Sequence, residues 1–201
     1  LDSYFSNNTN NTIYCIIRRK GLSTSPSERL KKTLNYYFGA KYDNYIDKNK
    51  IIVIEGDISQ KNFGLSVENL NLLMDNIDIV INSAALVKHY GNTKTFSQIN
   101  IDGTKTIIDV CKKYNKKFYH ISTLSISGMG LPNINSKSLK LEKCVFDETS
   151  FFINQHLDNV YLYTKFEAEK NILEAILDGL DATILRIGNL TNRFSDGFFQ
   201  I

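Results

Sequence analysis

The stretch from Ile77-Asp-Ile-Val-Ile-Asn82 to Lys117-Phe-Tyr-His-Ile-Ser122 decides the fold of this chain. Two apolar runs of strand length flank residues 93–114, which have the pattern of one long helix. A strand, a helix and a second strand in this order predict a βαβ unit, in which the two strands are parallel. The runs show little alternation with polar residues, as expected when both faces of a sheet are covered.

The same alternation of strands and helices continues in both directions along the sequence. Further strands are predicted at residues 12–18, 50–55 and 182–187. Ser25-Pro-Ser-Glu28 is a capping box with proline at the first helical position. Further helices are predicted at residues 25–38, 66–73 and 159–177. We therefore predict an α/β fold, a Rossmann-like doubly wound parallel sheet, in a single domain over residues 1–201.

The composition is that of an ordinary globular domain. Of the 201 residues, 42% are hydrophobic and 22% are charged, and the net charge of +3 comes from scattered basic residues. This charge does not indicate a nucleic-acid surface, and neither a membrane-spanning stretch nor a signal peptide is expected. The three cysteines, Cys15, Cys111 and Cys144, have no CxxC spacing. We therefore expect no disulfide framework, no metal site and a reducing, cytoplasmic location.

Tyr161-Leu-Tyr-Thr-Lys165 is the motif that most directly indicates catalysis. A tyrosine and a lysine four residues apart lie on the same face of a helix. The lysine ammonium is expected to favour the tyrosinate and to lower the pKa of the phenol, which suits a proton-transfer pair. The same spacing also fits a surface helix with an exposed lysine and a half-buried tyrosine. Tyr163 has no Lys or Arg at the same spacing, so it is not expected to take part.

Two hydroxyl groups lie where the strand before Leu124 ends. Open α/β sheets bind ligands at the carboxyl ends of their strands, and a hydroxyl there can hydrogen-bond the carbonyl oxygen of a substrate. Ser122 and Thr123 point to opposite sides if the strand continues, so only one of them can face the site. Either hydroxyl can instead form a turn or cap a helix.

The chain resembles the extended short-chain dehydrogenase/reductase superfamily through several motifs that occur in the same order. Glu55-Gly-Asp57-Ile58 resembles the segment after the third strand, where the family places an acidic residue near adenine. Asn82-Ser-Ala-Ala85 resembles the end of the fourth strand, where small residues let the cofactor lie against the backbone. Asn100-Ile-Asp-Gly103-Thr104 is similar to the helix motif whose asparagine stabilises the active-site geometry.

The resemblance also implies the roles of individual residues. Counting back from Gly128, Thr123 rather than Ser122 matches the catalytic hydroxyl of the family. Tyr161 and Lys165 match the other two catalytic residues. The implied cofactor contacts are Arg18, Asp57, Ile58, Ser83, Ala84, Ala85, Asn100, Ser122, Tyr161, Lys165, Gly188 and Asn189.

Within that superfamily, the chain is most similar to the terminal thioester-reductase domains of non-ribosomal peptide and polyketide synthases, also called male-sterility-type NAD-binding domains. The strings that carry the likeness are Ile13-Tyr-Cys-Ile-Ile-Arg18, Asn159-Val-Tyr161 with Lys165-Phe-Glu-Ala-Glu169, and Arg186-Ile-Gly-Asn-Leu-Thr191 with Ser195-Asp-Gly-Phe-Phe-Gln200. The likeness implies NADPH-dependent reduction of an acyl or peptidyl thioester, held on the phosphopantetheine arm of a carrier protein, to an aldehyde or an alcohol. Carboxylic acid reductases and fatty acyl reductases share much of these strings.

Arg18 bears on the choice of cofactor. It lies at the end of the second strand of the family's sheet, where a Rossmann fold that takes NAD commonly presents an acid to the ribose. An arginine there suits the ribose 2′-phosphate of NADP(H), which it can bind through charge-assisted hydrogen bonds. Arg19 and Lys20 are expected to add to the positive field. A solvated basic strand end is the alternative.

One expected feature is missing from the sequence. Nothing before Thr12 resembles the Gly-rich phosphate loop, which should lie between the first strand and the first helix of the family's sheet. The chain begins at Leu1 and stops within a pattern at Ile201. We therefore expect a fragment truncated at both ends, without its first strand, that binds cofactor poorly by itself.

Two other functions remain open from the sequence. One is a different reaction on the same fold, such as that of a nucleotide-sugar epimerase, although the string from Arg186 to Gln200 argues against it. The other is a non-catalytic Rossmann-like binding or sensor module. The three histidines, His89, His120 and His156, have no metal-like spacing and are expected to be structural or peripheral.

Overall fold

The computed structural model describes residues 11–21, 23–88, 90–128, 146–190 and 197. The chain divides into two compact units, Leu1–Leu65 and Ser66–Ile201. The five described strands lie in two parallel sheets, one of two strands and one of three. No described strand pairs with both sheets. The prediction of a Rossmann-like α/β fold is confirmed, and that of a single domain stays a prediction.

The first unit contains a parallel pair of strands and the helices between them. Its elements are β1 (Ile13–Ile17), α1 (Pro26–Phe38), a 3-10 turn (Gly39–Tyr42), α2 (Asp43–Asp47), β2 (Ile51–Glu55) and a second 3-10 turn (Lys61–Gly64). α1 begins as predicted, because the Ser25 Oγ accepts from the N–H of Glu28 and the Glu28 carboxylate accepts from the N–H of Ser25. Leu34, Tyr42 and Ile51 form the buried core of this unit.

The second unit contains the three-stranded sheet. Its elements are α3 (Val67–Asp75), β3 (Ile79–Asn82), α4 (Thr93–Phe96), a π-helical segment (Ser97–Asp102), α5 (Gly103–Tyr114), β4 (Lys117–Thr123), a 3-10 turn (Leu124–Ser127), α6 (Val160–Leu177) and β5 (Ala182–Ile187). The strands are parallel in the order β3-β4-β5. All three therefore end at the same edge of the sheet, at Asn82, Thr123 and Ile187.

The central strand β4 has one buried face. Phe118, His120 and Ser122 alternate along it and are each at most 5% exposed. The helices α5 and α6 both pack against β4 and against each other. This face therefore places one ionisable side chain, His120, inside the protein.

The long helix predicted over residues 93–114 is interrupted. α4 begins after Asn92, whose side-chain oxygen accepts from the N–H groups of Lys94 and Thr95, and α5 ends before Asn115, which has a positive φ of 49°. Between them, the backbone over Ser97–Asp102 is a π-helix. The prediction of one regular helix is therefore wrong over these six residues. Single π turns inside helices often occur at functional positions, and this one contains Asn100.

Candidate active site

Lys165 is held inside the protein by the carboxyl-terminal half of β4. The Asn159 side chain caps α6 by accepting from the N–H of Leu162 at 2.9 Å, which places Tyr161 in the first turn of the helix and Lys165 one turn later. Lys165 is 2% exposed. Its Nζ donates to the carbonyl oxygen of Ile121 at 2.7 Å and lies 3.0 Å from Nε2 of His120. The sequence pair thus lies on a helix as predicted, and the buried lysine disagrees with the alternative of a surface helix with an exposed lysine.

The environment of Lys165 weakens the preference of its side chain for the charged form. Burial lowers the pKa of the ammonium to about 8, although the nearby Glu169 carboxylate raises it in part. Glu169 is itself buried and is paired with Arg186 on β5 at 2.9 Å. Lys165 therefore changes charge within the range of pH at which enzymes work.

His120 belongs to the buried network around Lys165, a place that the sequence interpretation did not give it. It is 1% exposed, and its two ring nitrogens lie 3.2 Å from Asn82 Nδ2 and 3.0 Å from Lys165 Nζ. Burial, together with the charge of Lys165, lowers the pKa of the imidazole to about 3, so the ring is neutral at ordinary pH. The alternation along β4, which places His120 on the same face as Phe118 and Ser122, was the signal that could have located it.

Asn82 and Thr104 extend this network towards the loop after β3. The side-chain oxygen of Asn82 accepts from the N–H of Ala84 at 3.1 Å, while its Nδ2 donates to the hydroxyl of Thr104 at 3.4 Å. Thr104 in turn donates to the carbonyl oxygen of Asn100 at 2.7 Å. Asn82, Thr104 and Asn100 are all buried, so these bonds form inside the second unit.

Asn100 joins the loop after β3 to α6. Its side-chain oxygen accepts from the N–H of Leu86 at 2.8 Å, and its Nδ2 donates to the Leu86 carbonyl at 3.2 Å and to the Thr164 hydroxyl at 2.9 Å. Thr164 precedes Lys165 directly. The π-helical backbone around Asn100 turns this side chain to reach both elements, which agrees with the expected role in holding the site together.

Ser122 and Thr123 lie on opposite sides of β4, as predicted. Thr123 is half-buried, and its Oγ1 accepts from the N–H of Ser125 at 3.2 Å, so it caps the 3-10 turn that follows. This bond uses the oxygen as an acceptor and leaves the O–H proton to donate elsewhere. Ser122 faces the buried side, where its hydroxyl has no hydrogen-bond partner among the residues that the structure describes.

Tyr161 is half-buried, and one expectation about it is wrong. Burial raises the pKa of the phenol, whereas the sequence predicted that Lys165 would lower it. The cause is the burial of the phenol itself. In the protein by itself, the phenol therefore holds its proton firmly.

In the first unit, Arg18 and Asp57 lie beside each other. Arg18 follows β1 directly, and its Nε is 4.0 Å from Oδ2 of Asp57, in a loose pair with the Arg18 side chain 59% exposed. Asp57 also accepts from the N–H and the hydroxyl of Ser59, and the next residue, Ile58, is half-buried. Arg19 is instead bound by Glu55 through two hydrogen bonds of 2.7 and 2.6 Å, so its charge is largely neutralised.

The remaining predicted contacts lie at the carboxyl edge of the three-stranded sheet. Ser83 and Ala84 are exposed and Ala85 is half-buried in the loop after β3, while Gly188 and Asn189 are exposed after β5. A side chain added at Gly188 would meet no atom within 4 Å, so the backbone there is open to a ligand. Other residues of the sequence interpretation lie outside the described residues, namely Leu1, His89, Cys144, Thr191, Ser195, Gln200 and Ile201.

The described part of the chain has neither a metal-binding cluster nor a membrane-spanning helix. It contains no cluster of three or more His, Cys, Asp or Glu side chains that could hold a metal ion. Its helices also include none that is both long enough and apolar enough to cross a membrane.

The fold and the site are those of a Rossmann-like domain, with a tyrosine and a buried lysine one turn apart on the helix before β5. A profile of the NAD-binding family described as Male sterility protein matches residues 4–201, and the chain belongs to this family. The predictions of family, fold class and oxidoreductase class are thus confirmed.

Known proteins of this kind are longer than the chain. It is similar to a thiolation-reductase di-domain from an archaeal non-ribosomal peptide synthetase, with 34% identity, a TM-score of 0.78, and coverage of 98% of this chain and 40% of that one. The terminal R domain from the myxalamid PKS-NRPS biosynthetic pathway is 26% identical, with a TM-score of 0.75 and coverage of 94% and 45%. Fatty acyl-CoA reductase wat of Drosophila melanogaster is 28% identical over 194 residues, which are 88% of this chain and 37% of that protein. The chain therefore spans less than half the length of each of these relatives.

Proposed function

We propose that the chain is the cofactor-binding and catalytic part of an NADPH-dependent thioester reductase. Its substrate would be an acyl or peptidyl thioester on the phosphopantetheine arm of a carrier protein, and its product an aldehyde or an alcohol. The observation that carries the proposal is the buried Lys165, one helical turn after Tyr161 and hydrogen-bonded to β4. The likeness to a thiolation-reductase di-domain over 98% of this chain supports the substrate class.

Residues of each unit fit NADPH. In the first unit, the exposed guanidinium of Arg18 has a long contact of 4.0 Å to Asp57 as its one ion pair among the described residues, so it can turn to a ribose 2′-phosphate. In the second unit, the small or open positions Ala84, Ala85 and Gly188 would let a flat ring system approach the backbone. When bound, NADPH would supply the hydride that reduces the carbonyl carbon.

The residues at the end of β4 and the start of α6 would handle the carbonyl oxygen and its proton. Thr123 and Tyr161 would donate hydrogen bonds to this oxygen as negative charge develops on it. Tyr161 would then transfer its proton to the oxygen as the general acid. The phenol, whose pKa is raised by burial, is protonated at neutral pH, as a general acid has to be. Lys165 would bind the ribose hydroxyls. Its positive charge would also compensate the negative charge of the tyrosinate that remains after the proton transfer.

Release of the product would complete the reaction. The hemithioacetal formed in the first step loses its hydroxyl proton, its carbon–sulfur bond breaks, and the thiol of the carrier leaves with a proton. One thioester and one NADPH thus give one aldehyde, one thiol and NADP⁺, with one proton consumed. A second reduction of the aldehyde would give the alcohol.

An assay of the full-length protein tests this proposal. A carrier protein loaded with an acyl thioester should oxidise NADPH and yield an aldehyde or an alcohol with free carrier thiol. UDP-sugars should show no turnover, and NADH should replace NADPH poorly. Turnover of a nucleotide sugar without reduction of any thioester would contradict the proposal and favour the epimerase alternative.

A fatty acyl-CoA reductase is the second candidate. The observation in its favour is the 28% identity with fatty acyl-CoA reductase wat over 88% of this chain. Both candidates reduce an acyl thioester. They differ in whether a carrier protein or coenzyme A supplies the thiol of that thioester. The same acyl chain should therefore be offered on a carrier protein and on coenzyme A, and the ratio of the two kcat/KM values decides between them.

We also propose a cytoplasmic location. Cys15 and Cys111 are free thiols in the structure, which suits a reducing compartment. Fluorescence imaging of the tagged full-length protein tests this location.

A further inference from the structure

A continuous chain of hydrogen bonds links the loop after β3 to Lys165. It runs from the N–H of Ala84 to Asn82 at 3.1 Å, from Asn82 to Nδ1 of His120 at 3.2 Å, and from Nε2 of His120 to Nζ of Lys165 at 3.0 Å. It ends at the Ile121 carbonyl, 2.7 Å from Nζ. Asn82, His120 and Lys165 are each at most 3% exposed. Every donor and acceptor in this chain therefore depends on its protein neighbours.

The N–H of Ala84 fixes the orientation of the Asn82 amide. A backbone N–H can only donate, so the group facing it must be the side-chain oxygen of Asn82. The amide nitrogen is then turned to Nδ1 of His120, and this nitrogen too can only donate. Nδ1 must therefore be the acceptor, and a neutral imidazole that accepts at Nδ1 carries its proton on Nε2.

This tautomer determines which form of Lys165 fits. Nε2–H is a donor and faces Nζ of Lys165 at 3.0 Å, so Nζ has to accept. An ammonium has three donors and no acceptor, whereas a free amine has one lone pair. The free amine can accept from Nε2–H while it donates to the Ile121 carbonyl. The observed bonds are therefore satisfied together only when Lys165 is uncharged.

We propose that Asn82 and His120 are positioning residues that couple the charge of Lys165 to the loop after β3. Lys165 becomes an ammonium when the proton on Nε2 of His120 passes to Nζ and another proton enters at Nδ1. His120 stays neutral, and one proton is taken up in total. Nδ1–H then needs an acceptor, so the Asn82 amide turns over and gives up its bond to the N–H of Ala84.

The charges around Lys165 agree with such a two-state arrangement. The titratable or charged groups of the described residues near it are His120 on β4, Tyr161 and Glu169 on its own helix and, through Glu169, Arg186 on β5. Glu169 favours the ammonium and burial opposes it, which brings the pKa of Lys165 to about 8. His120, with its pKa lowered to about 3, stays neutral throughout this titration.

The coupling deepens the proposed function, because Ala84 lies in the loop that we expect to contact the cofactor. A ligand that accepts a hydrogen bond from the N–H of Ala84 replaces the side-chain oxygen of Asn82 there. The Asn82 amide then no longer has to keep its observed orientation. The ligand thereby allows the amide to turn over and Lys165 to take a proton. Ligand binding in this loop and the charge of the catalytic lysine would thus be linked through two buried side chains.

Nitrogen NMR of the full-length protein with ¹⁵N-labelled histidine tests the coupling without substrate or turnover. The signals of His120 are assigned by their loss in the His120→Gln variant. Over about pH 6 to pH 10, we expect a neutral ring that changes from the Nδ1–H form at low pH to the Nε2–H form at high pH. The midpoint should coincide with that of Lys165, followed by its ¹³Cε signal. A single tautomer at every pH, or an imidazolium, would overturn the proposal.

The Asn82→Asp variant is the sharpest single change. One carboxylate oxygen can accept from Ala84 while the other accepts from Nδ1–H, so the Nδ1–H tautomer and the ammonium should persist to higher pH. Thr104→Val is the control, because it removes the 3.4 Å contact to Asn82 and the 2.7 Å bond to the Asn100 carbonyl but no bond of the chain from Ala84 to Lys165. An Asp variant with the wild-type midpoint would contradict the proposal. If that variant does not fold, the pH series of the unchanged protein still decides.

A pH profile of turnover supplies a second measurement. With Asn82→Asp, the high-pH limb of kcat should move to higher pH together with the Lys165 midpoint, which a purely structural defect would not produce. If the NMR results hold but no thioester is reduced at any pH, the coupling stands and only the proposed function fails. An unmoved limb beside a shifted Lys165 midpoint would overturn the role of the coupling in catalysis.

Discussion

The carboxylate of Glu169 is completely buried and is paired with the guanidinium of Arg186 at 2.9 Å. Arg186 reaches Glu169 through Nε and Nη2, and its Nη1 donates to the carbonyl oxygen of Ser150 at 2.8 Å. The guanidinium also lies 4.9 Å from the centre of the Phe146 ring. Arg186 on β5 therefore joins α6 to the segment that precedes this helix. Its partner on the helix, Glu169, lies four residues after Lys165.

Replacing Arg186 with methionine should destabilise the protein strongly. Arg186→Met leaves the Glu169 carboxylate buried without a partner, and removing one member of a buried ion pair costs about 3–5 kcal/mol. Unfolding in urea, followed by circular dichroism, measures the loss. The control is Lys112→Met, which breaks an exposed pair with Asp178 and should cost less than about 1 kcal/mol. Equal effects of the two substitutions would contradict the interpretation of Arg186.

Tyr161→Phe should lower kcat and leave the protein folded. The substitution removes only the phenolic hydroxyl, and positioned proton transfer typically contributes about 10²–10⁴-fold to the rate. Tyr163→Phe is a matched control, because Tyr163 lies on the same helix, is exposed and has no lysine four residues later. Single-turnover rates of NADPH oxidation with an acyl-carrier thioester compare the two variants. Wild-type turnover in Tyr161→Phe would remove Tyr161 from the catalytic mechanism.

Arg18→Ala should weaken the binding of NADPH and spare that of NADH. The guanidinium of Arg18 has a loose contact with Asp57, so it can serve a 2′-phosphate that NADH lacks. Hydrogen bonds to a charged group contribute about 1.5–3 kcal/mol, which corresponds to roughly 10- to 100-fold in affinity. Fluorescence titration of the full-length protein with each cofactor measures both constants.

Arg19→Ala serves as the control for that prediction. Arg19 is bound by Glu55 through two short hydrogen bonds, and this pairing leaves little of its charge for a ligand. Its removal should change the affinity for NADPH much less than the removal of Arg18. The opposite order would assign the phosphate contact to Arg19.

The sequence predicted those features that depend on neighbours along the chain. The capping box at Ser25 and Glu28 acts within one helical turn, and the strands follow from runs of apolar residues. The predicted ends of this helix and of the strands therefore agree with the observed ends to within two residues. The π-helical turn around Asn100 was missed, because it depends on contacts to Leu86 and Thr164, which are distant in sequence.

The chemistry of the site could be predicted only in part, for a related reason. The spacing of Tyr161 and Lys165 showed that they share a helix face, but the direction of a pKa shift depends on burial. Burial raises the pKa of Tyr161 and lowers that of Lys165, and both effects arise from packing against other elements. His120 was judged by its lack of metal-like spacing, whereas its importance comes from the side chain that lies opposite it across the β4–α6 interface.

The stability of the protein should fall in mild acid because of His120. The pKa of His120 is about 3 in the folded protein, against its ordinary value of 6.5. At a pH between these two values, the imidazole therefore binds a proton in the unfolded state but not in the folded state. Stability is therefore complete above about pH 6.5 and is lost as the pH falls towards the folded value. Between about pH 7 and pH 5 this linkage amounts to roughly 2 kcal/mol.

His120→Gln should remove that part of the acid sensitivity. Glutamine has no titratable group, so the other ionisable residues alone then set the pH dependence of unfolding. Urea unfolding of both proteins at about pH 7 and pH 5 should show a larger loss for the wild type by that amount. The comparison is between the changes of unfolding free energy with pH in the two proteins. A loss of stability that is equal at every pH therefore does not affect it. Parallel pH profiles would mean that His120 is charged in the folded protein, contrary to its burial between β4 and Lys165.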